Sequence, residues 1–295
     1  MSSITYLANP GNLKKPYISL LRYPGGKSSL YGRLRTLIRL NGLSNGTYVE
    51  PYAGGAGAAL ALLVTGQVRE IVINDLDPAV YAFWRAVVTE REAFSDLLVN
   101  AVLTVEEWTK QKEAYLTAPR DDYLTLGFAT FYLNRTNRSG VLNGGPIGGK
   151  DQSGNYKIDA RFNKQALSER LRLLSLYSNR ISVRNEDGLQ VIKEFAASPS
   201  AFVYADPPYV EKAGSLYLNS FTKSAHQSLA DCINSLSETK WLLTYDDVPL
   251  VHELYSDRRR ELFSLNYSAH RVAKANEVMI FSDALVTETG EDRLF

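Results

Sequence analysis

Short runs rich in β-branched and aromatic residues alternate along this chain with longer stretches whose apolar positions recur every three to four residues. The β-like runs are TYVE (47–50), EIVIND (70–75), RISVR (180–184), AFVYA (201–205), KWLLTY (240–245) and EVMIFS (277–282). Helical periodicity marks 28–40, where a cap at Ser28 would set Leu30, Leu34, Leu37 and Ile38 on one face. It recurs at 57–65, at 78–88 opening with Pro78, and at 187–197 and 223–238. Strands separated by helices of this length predict parallel βαβ units, hence an α/β fold with a doubly wound sheet.

The alternation stops between about 89 and 178. Helical patterns at 90–100, 104–117 and 121–134 follow one another, then the polar, glycine-rich run VLNGGPIGGKDQSGNYKI, then a helix at 163–178. A long loop of that composition is usually functional or disordered. We therefore read 1–88 and 166–295 as one α/β domain interrupted by a mainly helical insertion at 89–165.

Bulk composition is that of an ordinary soluble protein, with 45% hydrophobic and 22% charged residues among 295. No signal peptide and no membrane-length apolar run is visible. A lone cysteine, Cys232, excludes internal disulfides and fits a reducing cytoplasm; three scattered histidines suggest no metal site. The net charge of +1 conceals segregation: 1–49 and 133–184 each carry +7, while 50–132 carries −6 and 185–295 carries −7. Two basic segments on a near-neutral chain point to a local surface for a polyanion.

The candidate chemistry lies at strand ends. After AFVYA come Asp206, Pro207, Pro208 and Tyr209. The prolines hold φ near −65° and donate no hydrogen bonds, so the strand must stop there. The resulting turn is rigid and offers its carbonyls, with an acid on one side and an aromatic ring on the other. The run YVEPYAGGAG (48–57) places Gly54, Gly55 and Gly57 between a strand and a helix, where the backbone can approach a ligand. The next strand ends at Asp75, positioned as an acid that bonds ribose hydroxyls. No GxGxxG pattern is present, which disfavours a nicotinamide cofactor. PGGKSS (24–29) contains a P-loop-like GKS at 26–28, but Leu21 stands where a P-loop needs glycine. An exocyclic amine on a nucleobase is a poor nucleophile because its lone pair is delocalised into the ring. A carboxylate plus a fixed carbonyl, each accepting one N–H, would localise that pair, and a tyrosine face could stack on the extruded base.

With RYPGGK, EPYAGGAG, NDLDP, the insertion and ADPPY in that order, the chain resembles the alpha group of S-adenosylmethionine-dependent DNA N6-adenine methyltransferases, over roughly 20–285. The resemblance implies a Rossmann-like methyltransferase fold with a mixed sheet, and S-adenosyl-L-methionine as methyl donor without a metal. It implies Tyr23, Lys27, Tyr52, Gly54, Asp75, Asp187 and Asp206 in the cofactor pocket. Asp206, Pro207, Pro208 and Tyr209 would be the catalytic motif. FYLNRTNRSGVLNGG resembles a DNA-contacting region, which makes Asn134, Arg135, Arg138 and Lys150 its candidate DNA contacts. The segments TYDD (244–247) and NEVMIFS (276–282) resemble sheet elements around the target-base pocket. Two positions depart from the family pattern: Tyr52 replaces a frequent phenylalanine, and Ala56 stands where glycine is usual.

The expected activity is N6-adenine methylation of double-stranded DNA by base flipping. Double-stranded DNA is the expected partner, with a cognate restriction endonuclease as a candidate second one, and the expected location is the cytoplasm, on the nucleoid. Competing readings are an RNA adenine N6-methyltransferase and a catalytically silent DNA-binding protein on the same scaffold. Cytosine C5 chemistry needs a nucleophilic cysteine, and Cys232 lies within a helical pattern.

Overall fold

The structure, a computed structural model, describes residues 17–22, 27–210, 221–267 and 273–287. Its centre is a seven-stranded sheet: β1 (Thr47–Glu50), β2 (Glu70–Asn74), β3 (Ile181–Arg184), β4 (Ala201–Ala205), β5 (Trp241–Asp246), β6 (Arg259–Tyr267) and β7 (Ala273–Phe281). The spatial order is β3-β2-β1-β4-β5-β7-β6. Strands β1 to β5 are mutually parallel; β7 runs antiparallel to β5 and β6 antiparallel to β7. The sheet is mixed, as the resemblance implies.

Period-two alternation divides the central strands between two cores. Tyr48, Ile71, Ile73, Phe202, Tyr204 and Leu242 enter one cluster, and Val49, Val72, Val203, Ala205 and Leu243 the other. Both sheet faces are therefore covered, which is why these strands read as continuous apolar runs. Helices α1 (Tyr31–Leu40), α2 (Gly57–Val64) and α3 (Pro78–Thr89) contribute to the first core. Helices α8 (Gly188–Ala196), α9 (Lys223–Asn234) and α10 (Pro249–Leu254) contribute to the second.

Between α3 and β3 lie α4 (Arg91–Asn100), α5 (Val105–Thr117), α6 (Tyr123–Thr136) and α7 (Lys164–Ser175). The last three start at side-chain caps: Thr104 accepts from Glu107 N–H at 3.2 Å, Asp122 from Thr125 N–H at 3.0 Å and Asn163 from Ala166 N–H at 2.9 Å. Helix α6 shares the first core: Phe131 stacks on Phe83 of α3 at a centroid separation of 6.1 Å. The two helices meet at Gly127, where a Cβ would lie 2.7 Å from the Ala82 carbonyl oxygen.

Two features differ from the sequence reading. The first helix is not capped at Ser28: a 3-10 turn over Lys27–Leu30 precedes it, and Leu30 at its N-cap makes no side-chain capping bond. Strand β6 has no counterpart among the β-like runs. It is an edge strand whose exposure alternates over 260–263 against the polarity of the sequence: Leu262 is exposed, while Glu261 is half-buried against Arg33 beside the half-buried Phe263.

The Gly127 contact yields a stability prediction. Gly127→Ala should lower stability by about 1–3 kcal/mol through overpacking, outweighing a helix-propensity gain of about 1 kcal/mol. A urea titration should show a lower midpoint with an unchanged m-value.

Candidate active site

Because β1, β2 and β4 are parallel, their carboxyl ends open on one edge of the sheet. Glu50 is the last residue of β1, Asp75 directly follows β2 and Asp206 directly follows β4. Ligands of open α/β sheets bind at this edge.

Around Asp206, side chains from distant segments converge. Lys27 Nζ donates to Asp206 Oδ2 at 2.8 Å and to the Tyr209 hydroxyl at 2.6 Å. The Tyr209 hydroxyl in turn donates to Glu277 Oε1 at 2.6 Å, and Glu277 Oε2 lies 3.7 Å from Lys27 Nζ. Asp206 Oδ1 accepts from the Thr244 hydroxyl at 2.8 Å, and Thr244 is linked to the Tyr204 hydroxyl at 2.8 Å. Lys27 is 5% exposed at its side chain and Glu277 0%, whereas Asp206 is 21% exposed and open to a ligand. Burial raises the Asp206 carboxyl above the ordinary aspartate range, and the Lys27 charge partly opposes the shift. The Tyr209 ring is buried and carries the Lys27 ammonium 4.9 Å from its centroid.

A second group surrounds the glycine-rich loop. Asp75 Oδ2 accepts from Gly54 N–H and Oδ1 from Asp77 N–H, both at 2.9 Å. Burial pushes Asp75 up to about 7 despite these bonds. Gly54 also accepts at its carbonyl from Trp84 Nε1 at 2.8 Å, which pins the loop to α3. Gly54 and Ala56 both have positive φ, 48° and 47°. Ala56 thus holds a left-handed conformation that glycine adopts without strain, in accord with its being the departure from the family pattern.

Glu50 sits beneath the loop, fully enclosed, with Oε1 accepting from the Tyr48 hydroxyl at 3.0 Å and Ala59 N–H at 3.1 Å. Burial is the largest influence and lifts its carboxyl to about 8.

Tyr52 lies across the crevice against α8. Its hydroxyl is buried and has no hydrogen-bond partner among the described residues, and a Cβ on Gly188 would lie 2.5 Å from its ring. Asp187 caps α8, accepting from Leu189 N–H at 2.8 Å. An orphaned buried hydroxyl, a flat ring and three carboxylates at one edge suit a ligand with an aromatic base, a ribose and a cationic centre. S-adenosylmethionine presents that set of groups.

The insertion behaves differently at its four candidate positions. Asn134 is 3% exposed; its Oδ1 accepts from Arg22 N–H at 2.7 Å, and its Nδ2 donates to the Arg22 and Gly140 carbonyls at 3.0 Å each. In this arrangement the Asn134 amide is taken up as a bracket between chain segments and offers nothing to a base edge. Asn137 is a second bracket, accepting from Trp108 Nε1 at 2.6 Å and donating to the Val141 and Leu142 carbonyls. Arg135 is buried, whereas Arg138 and Lys150 are exposed. The loop carrying Lys150 is folded onto the end of α6 by Ile147 N–H to Thr136 O at 2.8 Å and Arg138 N–H to Gly145 O at 3.0 Å. Tyr23 lies outside the described residues. Pro207 and Pro208 carry the chain from Asp206 to Tyr209 without regular secondary structure.

Sequence reasoning singled out Lys27, Asp206 and Tyr209, and the structure joins them. It missed Glu277 and Tyr204 as partners, because each sits in an apolar strand run where alternation reads them as core.

The family of D12 class N6 adenine-specific DNA methyltransferases matches residues 23–274. This chain belongs to that family. It is thus an enzyme that methylates adenine in DNA. Similar curated proteins are the type II methyltransferases M.CviBI of Paramecium bursaria Chlorella virus NC1A and M1.LlaDCHI of Lactococcus lactis subsp. cremoris. The first is 25% identical over 241 residues, covering 80% of this chain and 85% of that protein. The second is 24% identical over 258 residues, covering 80% and 84%. Among solved structures, the rRNA methyltransferase aviRa of Streptomyces viridochromogenes covers 84% of each chain at 14% identity and a TM-score of 0.35. At that score the likeness adds nothing to what the sheet order establishes. Among the described residues no group of three or more His, Cys, Asp or Glu is placed to hold a metal ion. No described helix of this methyltransferase is long and apolar enough to cross a membrane.

The elevated Glu50 carboxyl makes stability depend on pH with a definite sign. A carboxyl whose folded pKa exceeds its ordinary 4.5 favours the folded state below that value, and the contribution is lost as pH rises through about 8. Thermal stability of the ligand-free enzyme should therefore fall between about pH 5 and pH 9. Glu50→Gln, which keeps the acceptor for Tyr48 and Ala59, should flatten that decline. Parallel melting curves for the two proteins across this range provide the check.

Proposed function

We propose that this D12-class enzyme transfers the methyl group of S-adenosyl-L-methionine to adenine N6 at a specific site in double-stranded DNA, acting on a base turned out of the duplex. The observation that carries the reading is the accepting face of Asp206, partly exposed at the strand edge and fixed by Thr244 on one oxygen. Its other oxygen already holds an N–H donor, Lys27 Nζ, at 2.8 Å. An exocyclic amine needs the same interaction.

When bound, the cofactor supplies an electrophilic methyl group. Tyr52, Gly54, Asp75 and Asp187 are the residues that would hold it, with the buried Tyr52 hydroxyl gaining a partner and Asp75 facing the ribose. Asp206 accepts one amine N–H, and a carbonyl of the rigid Pro207–Pro208 turn accepts the other, which concentrates the lone pair on nitrogen. The raised Asp206 carboxyl is also able to take up the proton that nitrogen loses as the N–C bond forms. Lys27, bridging Asp206, Tyr209 and Glu277, holds the acid and the aromatic ring in register. Tyr209 closes the pocket wall on which a flipped base can rest.

The insertion at 89–165 is the target-recognition part of this reading. Exposed Arg138 and Lys150 reach the DNA, while Asn134 and Asn137 hold their loop in place. Because similar proteins carry type II methyltransferase names, a cognate restriction endonuclease is the protein partner to seek.

Two measurements test the assignment. Labelled methyl transfer to plasmid DNA should be abolished by Asp206→Ala with little change in melting temperature; transfer to RNA alone would overturn the substrate. Gly188→Ala pushes the Tyr52 ring out of place, so it should raise KM for S-adenosylmethionine several-fold while leaving kcat nearly unchanged. An unchanged KM would remove Tyr52 from the cofactor pocket.

A further inference from the structure

Residues 17–22, the C-terminal end of α6, the loop before α7 and α7 itself bring Arg22, Arg135, Arg161 and Arg170 into one neighbourhood. The main chain of Arg22 is bracketed by Asn134, next in sequence to Arg135, and Arg22 Nη1 donates to the Asn137 carbonyl at 3.2 Å. Arg170 Nη1 donates to the Ser19 carbonyl at 3.2 Å, and its guanidinium lies 4.7 Å from the Tyr17 ring centroid. Arg161, exposed on the loop, is near enough that its charge opposes those of both Arg22 and Arg135.

Arg135 is 8% exposed, and its Nε is buried without a hydrogen-bond partner among the described residues. Desolvation lowers its guanidinium most; Tyr17 opposes the shift, and the charges of Arg170, Arg22 and Arg161 add to it, leaving it at about 10. None of the four arginines forms an ion pair with a carboxylate among the described residues, although other arginines, such as Arg33, Arg184 and Arg258, do.

Buried or crowded cations are ordinarily paired, because an uncompensated charge out of water is costly. Three guanidinium charges bearing on a fourth, with no acid paired to any of them among the described residues, are not explained by folding alone. The Tyr17 stack and the carbonyl contacts account for where Arg170 and Arg22 point. They do not account for Arg135, whose charge is desolvated and unanswered. Bound oxyanions would answer it, since guanidinium forks match their geometry.

We propose that Arg22, Arg135, Arg161 and Arg170 form a phosphate-binding site for the DNA backbone, set on the chain segment that leads into Lys27. This rests on the DNA-methylating reading above and goes beyond it, since only Arg135 was a candidate DNA contact from the sequence. The cofactor is the other source of an oxyanion, through its methionine carboxylate, and Ser19 Oγ donates to the Gly55 carbonyl of the cofactor loop at 2.6 Å. Charge decides between them. A carboxylate brings one negative charge to four cations, whereas duplex DNA presents one per about 1.7 Å of its axis. The backbone can answer several arginines at once.

The experiment is a salt titration of duplex binding by the full chain, with S-adenosylmethionine affinity measured alongside. The exposed and half-exposed pair is removed as Arg161→Ala/Arg170→Ala, and Arg135→Gln is made separately, with melting curves for both. The double variant should flatten the slope of log K against log salt by about 0.9 for each phosphate it no longer neutralises, and leave cofactor affinity within about twofold. An unmoved slope in a double variant that still melts normally overturns the site, even if wild-type protein methylates DNA. Loss of cofactor affinity with an unmoved slope assigns the cluster to the carboxylate and overturns it likewise. Wild-type protein that binds no duplex sinks this inference and the function reading together.

Discussion

Three distant parts of the chain meet at one ammonium group. Lys27, from the turn before α1, touches Asp206 at the end of β4, Tyr209 three residues later and Glu277 on β7. A cation so enclosed needs opposing charge, and its two carboxylates would repel each other without it. The Asp206–Tyr209 turn, the antiparallel β7 and the turn before α1 are therefore held together by this one charge balance. The sheet supplies the stage, because parallel strands deliver Glu50, Asp75 and Asp206 to a single edge. Of those acids, Asp206 is the one Lys27 pairs with.

The insertion is tied to the same node by a different device. Asn134 grips the main chain of Arg22, five residues before Lys27, while Asn137 grips the start of the loop that carries Arg138 and Lys150. Helix α6, which bears Asn134 and ends just before Asn137, is packed into the first core against α3. The loop carrying Arg138 and Lys150 and the segment leading to Lys27 are thus joined through a packed helix.

Much of this was legible beforehand where pattern and chemistry coincide. The parallel strands announced themselves as apolar runs because both of their faces are buried, and DPPY announced itself because two prolines end a strand beside an acid. Legibility failed where one residue serves two roles. Glu277 lies in EVMIFS, a run that strand periodicity assigns to packing, and its carboxylate becomes informative only once β7 is known to lie beside β5. Asn134 failed in the opposite direction: its amide suits adenine, yet burial and three main-chain hydrogen bonds make it a bracket here. Edge strand β6 left no trace, since its exposed face carries Leu262 and its half-buried face carries Glu261, which inverts the expected polarity pattern. The capping signal at Ser28 was overridden by a 3-10 turn that carries Lys27 into the site.

The raised carboxyls beneath the glycine-rich loop also bear on how an acidic crevice tolerates a polyanion. Counted from the sequence, Glu50, Asp75, Asp206 and Glu277 would present a substantial negative field to approaching phosphates. Burial instead raises Glu50 to about 8 and Asp75 to about 7, so near neutral pH protons mask the first and part of the second, while Lys27 faces Asp206 and Glu277. The pocket keeps the oxygen atoms it needs for hydrogen bonding while shedding the long-range repulsion they would otherwise exert. Desolvation thereby acts as an electrostatic camouflage, and acid chemistry can proceed within reach of a nucleic-acid backbone.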